Sequence, residues 1–298
     1  MITKKKKIHS RIDCAEHLRC VLDESIEPRE AVMGFIDKII NGSYDYAYNI
    51  HTGSPADISK RIGDIVALNA THGIRGVVTF DRRRGTPPTV EAVYPVGIPL
   101  ESVSPLTGIC NVLPTEGLVE AYGRLDTHSL TFDIADYPVM RKAKDYLDVR
   151  PVSVDVIGFC YLCRKVTEKD PNFIRPFDLK KCKWLDAMPD DFRRGLEKAM
   201  NIREDGSVMM DFTYSQIFVQ ENEKFPDEFR FSSYVEELDE IEVFDMPMYR
   251  MKIVYEQGLL GDETDTYITA YAKQEFFPDG LKKGDFIRGI GWLQGVFR

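Results

Sequence analysis

Two stretches of this chain carry the same sequence signals in the same order and at nearly the same spacing. A proline, Pro55 or Pro189, opens each stretch, and an Ile-Gly-aromatic run beginning at Ile157 or Ile290 closes it. The opening and closing residues are 102 positions apart in the first stretch and 101 in the second. A pattern repeated over this length predicts two copies of one folding unit. The alternative is that two unrelated stretches can be aligned by chance.

Each copy is predicted to consist of a helix followed by strands. Apolar residues follow each proline at helical spacing; they are Ile58, Ile62, Ile65 and Val66 in the first copy and Phe192, Leu196, Ala199 and Met200 in the second. Strand-like runs then succeed one another without intervening helices, which is typical of the α+β class. The predicted fold is therefore α+β: two tandem copies of a helix-plus-antiparallel-sheet unit, whose closing stretch has the rhythm of a small, OB-like barrel.

Four segments follow from this interpretation. They are an N-terminal helical segment (1–53), a first α+β repeat (54–166), a linker (167–187) and a second α+β repeat (188–298). In the first segment, Pro28 at a first-turn position and Asn41-Gly42 at the end predict a helix. The alternating Tyr44, Tyr46 and Tyr48 predict a short strand or an extended arm after it.

Charge and composition narrow the classes of function. The net charge is −9 and the pI about 5.2, which argues against a dedicated, sequence-independent nucleic-acid binder. Ten acidic and two basic residues fall between positions 220 and 245, so the negative charge is local. No apolar run reaches the roughly 18–20 residues that span a bilayer, and no signal peptide is recognisable, so we expect a cytoplasmic protein without a membrane partner. Six cysteines are too few for a disulfide scaffold.

The cysteines suggest metal ligands only weakly. Cys160 and Cys163 have a zinc-like spacing, but no second pair follows, and the motif continues a predicted strand. We therefore expect both to be buried packing residues. Cys14, His17 and Cys20 lie on one predicted helix, with Cys20 expected at its exposed side, and they could bind a metal only across a dimer. No metal and no cofactor is predicted.

Known catalytic signatures are not found in the sequence. Asp126, His128 and Ser129 are neighbours in the chain, whereas triad residues need separate backbone supports, so a polar hairpin turn is the better interpretation. The chain contains neither a nucleophile-elbow motif nor a phosphate-binding loop nor a dinucleotide fingerprint.

One basic segment is the candidate binding site. Arg82, Arg83 and Arg84 lie between two predicted strands and are expected at a projecting hairpin tip, where arginines can hold phosphates or acidic protein surfaces. A solvated turn explains them as well. The first hypothesis is a non-enzymatic binding or scaffolding protein with an unknown protein or small-molecule partner. The second is a weak nucleic-acid binder that uses these arginines and Lys4 through Lys7. The third is an enzyme with a site between the repeats.

The closing run of the second copy is expected to be packed. Trp292 would lie in the last strand of the second module, and an aromatic-rich segment of this kind is predicted to be tied into a sheet. Deleting residues 289–298 should then unfold the second module. The first module is expected to survive in a chain that stops near Val166.

Overall fold

Strands dominate the part of the chain that the structure describes. This computed structural model describes residues 15–22, 28–41, 46–49, 65–71, 74–81, 89–114, 121–135, 150–167, 174–178, 207–211, 216–220, 225–243, 246–256 and 265–298. In these ranges there are fifteen strands, one α-helix and two short 3₁₀ segments. The α+β prediction is therefore wrong: the protein is mostly β, and the helix-plus-sheet repeat is not its architecture.

The helical interpretation fails first at the end of the helix predicted after Pro55. Ile65 and Val66 open strand β2 (Ile65–Thr71), which pairs with its neighbours on both sides. Both residues are β-branched, and such side chains favour an extended backbone, so tertiary pairing prevails over the helical spacing. Residues 50–64 and 179–206, which include the rest of both predicted helices, lie outside the described residues.

Two elements of the N-terminal segment are confirmed. Helix α1 (Pro28–Asn41) has proline at its first position and Glu30 in its first turn, where a carboxylate favours the helix dipole. Strand β1 (Tyr46–Asn49) contains two of the alternating tyrosines, and Tyr44 lies outside the described residues. It begins an antiparallel four-stranded sheet, which continues through β2, β3 (Ile74–Asp81) and β4 (Thr89–Gly97).

A second sheet has nine strands. They are β5 (Leu106–Pro114), β6 (Ala121–Leu125), β7 (Leu130–Ile134), β8 (Pro151–Lys165), β11 (Ile217–Val219), β12 (Glu228–Val243), β13 (Met246–Glu256), β14 (Thr266–Lys273) and β15 (Phe286–Phe297). The pairing is antiparallel except that β14 runs parallel to β8 and β15 runs parallel to β7.

Two additional pairings close this sheet into two rings. Because β12 also pairs with β15, strands β12, β13, β14, β8 and β15 form one closed circuit. Because β8 also pairs with β5, strands β5, β6, β7, β15 and β8 form another. Strands β8 and β15 belong to both circuits and pair with each other along most of their length. Closing a sheet on itself removes its exposed edges.

The two rings have the same connections. Each begins with three consecutive antiparallel strands, β5 to β7 in one ring and β12 to β14 in the other. A fourth strand follows in each, β8 or β15, and the fourth strand of the other ring completes the circuit. Phe159 of β8 and Trp292 of β15 lie directly opposite each other at the centre of the shared pair. Since the rings share strands, they are not separate units side by side. The boundaries 54–166 and 188–298 remain a prediction.

The N-terminal segment packs on the outer side of the shared strands. The 3₁₀ segment (Ala15–Cys20), the turn residue Val21 after it and helix α1 contribute to an apolar cluster, through Leu18, Cys20, Val21 and Ile36. Its sheet members are Ile157, Phe159, Val243, Met248, Tyr271 and Trp292. A larger cluster fills the space enclosed by the strands, with Phe132, Phe229, Ile253 and Leu293 among its buried members. The second 3₁₀ segment (Gln274–Phe276) follows β14.

The chain divides into two compact units. Residues 1–165 and 217–298 form the first, which contains both sheets described above. Residues 166–216 form the second, in which β9 (Ile174–Asp178) pairs antiparallel with β10 (Ser207–Asp211). Within the described ranges, no helix combines the length and the apolarity that crossing a membrane would require.

Candidate binding surface

The basic segments singled out by the sequence lie outside the described residues. This holds for Arg82, Arg83 and Arg84 and for the lysines at 4–7. The structure does show what frames the arginines, because Asp81 of β3 and Thr89 of β4 are antiparallel partners on either side of them. Their proposed role in binding remains a prediction.

Cys160 and Cys163 lie in the core, as the sequence predicts. Both side chains are buried on β8 and belong to the cluster enclosed by the strands. A hydrogen bond with Cys163 and burial raise the pKa of Cys160 well above its usual value. The thiol is therefore protonated and poorly nucleophilic.

Cys20 is buried, so the expectation of an exposed thiol is wrong. The reason is that Ala15–Cys20 is a 3₁₀ segment with three residues per turn instead of an α-helix, which changes the side that faces the sheet. The Trp292 indole Nε1 donates a hydrogen bond to Cys20 Sγ over 3.0 Å, and burial raises the pKa of Cys20 to about 12. Cys14 lies outside the described residues, among which no group of three potential metal ligands occurs.

The Asp126–Ser129 segment forms the predicted hairpin turn between β6 and β7. Asp126 Oδ1 accepts hydrogen bonds from the backbone N–H groups of Ile109 and Thr127, at 2.9 Å and 2.7 Å. The Asp126 carboxylate thus stabilises the turn, and His128 instead approaches Glu256, with 3.6 Å between Nδ1 and Oε2.

An aromatic stack runs across the shared strands to the surface. The rings of His17, Trp292, Phe159 and Tyr271 follow one another with centroid separations of 4.2, 5.2 and 5.0 Å and interplanar angles of 23°, 18° and 18°. At its outer end, His17 Nδ1 and the Tyr161 hydroxyl share a hydrogen bond of 2.8 Å. Burial lowers the pKa of His17 to about 4, so the ring is neutral near pH 7. The stack therefore attaches the N-terminal segment to the sheet.

Just beyond Trp292, the same face of the sheet is uncovered. Leu162 of β8 and Ile290 of β15 are direct cross-strand partners and are 57% and 37% exposed. Arg230 of β12 lies opposite Ile290, while Arg288 and Arg164 are paired two residues further along their strands. Paired residues share a face, as do residues two apart. These five residues, called the arginine face below, form one patch on three adjacent strands.

A bulge in β8 creates this arrangement. The register between β8 and β15 shifts by one residue at Tyr161, so that Ile290 pairs with Leu162 while Gly291 pairs with Cys160. The extra residue lets Cys160 and Cys163 both enter the core, whereas strict alternation would place them on opposite faces. Because this register is not visible in the sequence, the arginine face is not among the predicted sites. Its only signal in the sequence is an apolar residue two positions from an arginine in both closing strands.

The arginine face offers both apolar area and positive charge. Arg164 and Arg230 are exposed, and Arg288 is half-buried. Guanidinium groups present a planar fork of donors that matches carboxylate and phosphate oxygens. Exposed aliphatic side chains gain free energy when a partner covers them.

Two acidic residues of β12, Glu240 and Glu242, border an open pocket of about 550 Å³. The pocket is lined by Glu240, Ile241, Glu242, Pro247, Arg250 and Gln274. Arg250 is held by Asp239, with Nη2 2.6 Å and Nε 3.2 Å from the same carboxylate oxygen. This arginine is therefore engaged within the protein.

Comparisons with known proteins give no match: no protein-family model, no curated protein and no solved structure is detectably similar to this chain.

Proposed function

We propose that this protein is a non-enzymatic binding protein and that the arginine face holds an anionic macromolecular partner. The observation that carries the proposal is the direct pairing of two exposed aliphatic side chains, Leu162 and Ile290, inside a group of three arginines. Adjacent exposed aliphatic and basic side chains are typical of a surface that a partner covers.

The rigidity of the face supports a binding role. Leu162, Arg164, Arg288 and Ile290 lie on β8 and β15, the two strands that both rings share, and Arg230 lies on β12 beside them. A site on strands of a closed sheet is preorganised, so little conformational entropy is lost when a partner binds.

Reversing the charge of the arginine face tests the proposal. The triple variant Arg164→Glu, Arg230→Glu and Arg288→Glu is compared with a matched variant that changes Arg124, Arg150 and Lys283 to glutamate; the three control residues are exposed and carry the same total charge. Fluorescence anisotropy measures binding of labelled poly-L-glutamate and oligothymidylate at low salt. We expect the first variant to bind the better probe about 100-fold more weakly, because each of the three charge pairs, two at exposed arginines and one at the half-buried Arg288, contributes up to about 1 kcal/mol.

The control variant should retain most of the affinity, because its charges lie off the arginine face. Equal losses in the two variants would mean that only net charge matters, and the proposed face would then be wrong. Failure of the wild-type protein to bind either probe at low salt would overturn the proposed function as well.

A further inference from the structure

We infer that the partner is a protein segment in which carboxylates flank bulky apolar side chains. The inference rests on the proposed function and assigns its partner class. Nucleic acid is the competing class, since phosphates would also bind the three arginines.

The apolar centre of the arginine face distinguishes the two classes. Leu162 is the most exposed of the large hydrophobic side chains in the described residues, and its direct neighbour across the strands is Ile290. Adjacent strands are about 4.8 Å apart, so the two side chains form one continuous aliphatic surface. Apolar side chains of a protein partner can bury this surface, whereas single-stranded nucleic acid is held mainly by aromatic stacking and phosphate contacts.

The charged groups lie around this aliphatic centre. Arg230 flanks Ile290 on the neighbouring strand, while Arg164 and Arg288 lie two residues away, a distance of roughly 7 Å along the strands. The whole patch is roughly 10 Å wide, two strand spacings. A few residues of an extended chain would cover it, with carboxylates at the arginines and an apolar side chain between them.

Three labelled probes of equal net charge test the inference with the full chain. One is a short peptide with glutamates on both sides of a Leu-Phe-Leu core, the second replaces the core with Ser-Asn-Ser, and the third is an oligothymidylate. Anisotropy is measured with the wild type and with Leu162→Ser/Ile290→Ser. The matched control is Leu113→Ser, which removes one exposed aliphatic residue from β5 and is compared with Leu162→Ser alone.

We expect the peptide with the apolar core to bind at least 10-fold more tightly than either other probe. The Leu162→Ser/Ile290→Ser variant should remove this advantage and leave binding of the other two probes unchanged, while the control variant should keep it. Leu162→Ser alone, at the more exposed position, should give part of the loss, and thermal unfolding reports whether each variant is folded.

The failures can be told apart. The partner class is wrong if the two peptides bind equally or if oligothymidylate binds most tightly. The proposed function still stands in either case, provided that the triple variant Arg164→Glu, Arg230→Glu and Arg288→Glu abolishes the binding. If the wild-type protein binds none of the probes, the proposed function fails. If the control variant loses as much of the advantage as Leu162→Ser alone, the assignment to Leu162 and Ile290 is overturned.

Discussion

His17 is neutral because most of its ring is buried. Its ring stacks on Trp292, and its pKa falls to about 4 from an ordinary value of 6.5 because of burial. The Asp227 carboxylate, 3.9 Å from Nε2, does not offset this shift. Protonating the ring therefore opposes the folded state, in which the 3₁₀ segment is attached to the sheet.

A pH dependence of stability follows. Because the folded pKa is lower than the unfolded one, the unfolded state takes up a proton first as pH falls through 6.5. The contribution of neutral His17 to the free energy of unfolding is complete above pH 6.5. It is lost progressively down to pH 4, by about 3 kcal/mol in total. Urea unfolding at pH 7.5 and pH 4.5 measures this loss. His17→Phe, which cannot titrate, should lose less stability between the two pH values, and an identical loss would contradict the assignment to His17.

Gln294 joins the two sheets of the first unit through one buried amide. Its Nε2 donates to Pro95 O over 2.9 Å, and its Oε1 accepts from Gly97 N over 3.0 Å, so it acts like a strand partner for β4. Gln294→Leu would leave a buried carbonyl and a buried N–H without these partners. We expect a loss of about 2–4 kcal/mol, measured by chemical unfolding. A loss under about 0.5 kcal/mol would show that the amide is dispensable.

At the scale of elements, the bulge in β8 depends on a glycine opposite it. A Cβ on Gly291 would contact backbone atoms of Phe159 and Cys160, which cannot move without disturbing the shared strands. We expect Gly291→Ala to destabilise the protein by about 1–3 kcal/mol in thermal unfolding. Gly34→Ala is the control, because nothing lies near that position in helix α1, and it should stabilise by up to about 1 kcal/mol. Equal effects would contradict this account of the bulge.

The sequence predicts many elements because their signals are local. Proline and asparagine bound α1 correctly, and the turn at Asp126 follows from its polar residues. Helical spacing at Ile65 was misleading, since strand pairing decided the conformation there. The arginine face could not be predicted. It depends on register between strands more than 100 residues apart and on one bulge at Tyr161, neither of which has a local signal.

At the scale of the molecule, the shared strands make the two rings depend on each other. The sequence alone predicts that the first module survives in a chain that stops near Val166. In the structure β15 completes the first ring through β7 and β8, so we expect such a chain to be unfolded or insoluble. Circular dichroism and an NMR amide spectrum of residues 1–166 measure this. Well-dispersed amide signals and cooperative unfolding of that fragment would show that the first ring closes without β15.

The shared pair also has a consequence for synthesis on the ribosome. Lys165 ends β8 and Phe286 begins β15, so 120 residues separate the two strands in the chain. At about 5–20 residues per second, roughly 6–24 s pass between the appearance of one strand and that of the other. Throughout that interval β5 to β8 have been made, but the strand that closes their ring does not yet exist. The nascent chain therefore presents open strand edges for seconds, which makes it a predicted client of chaperones that recognise unpaired β-structure.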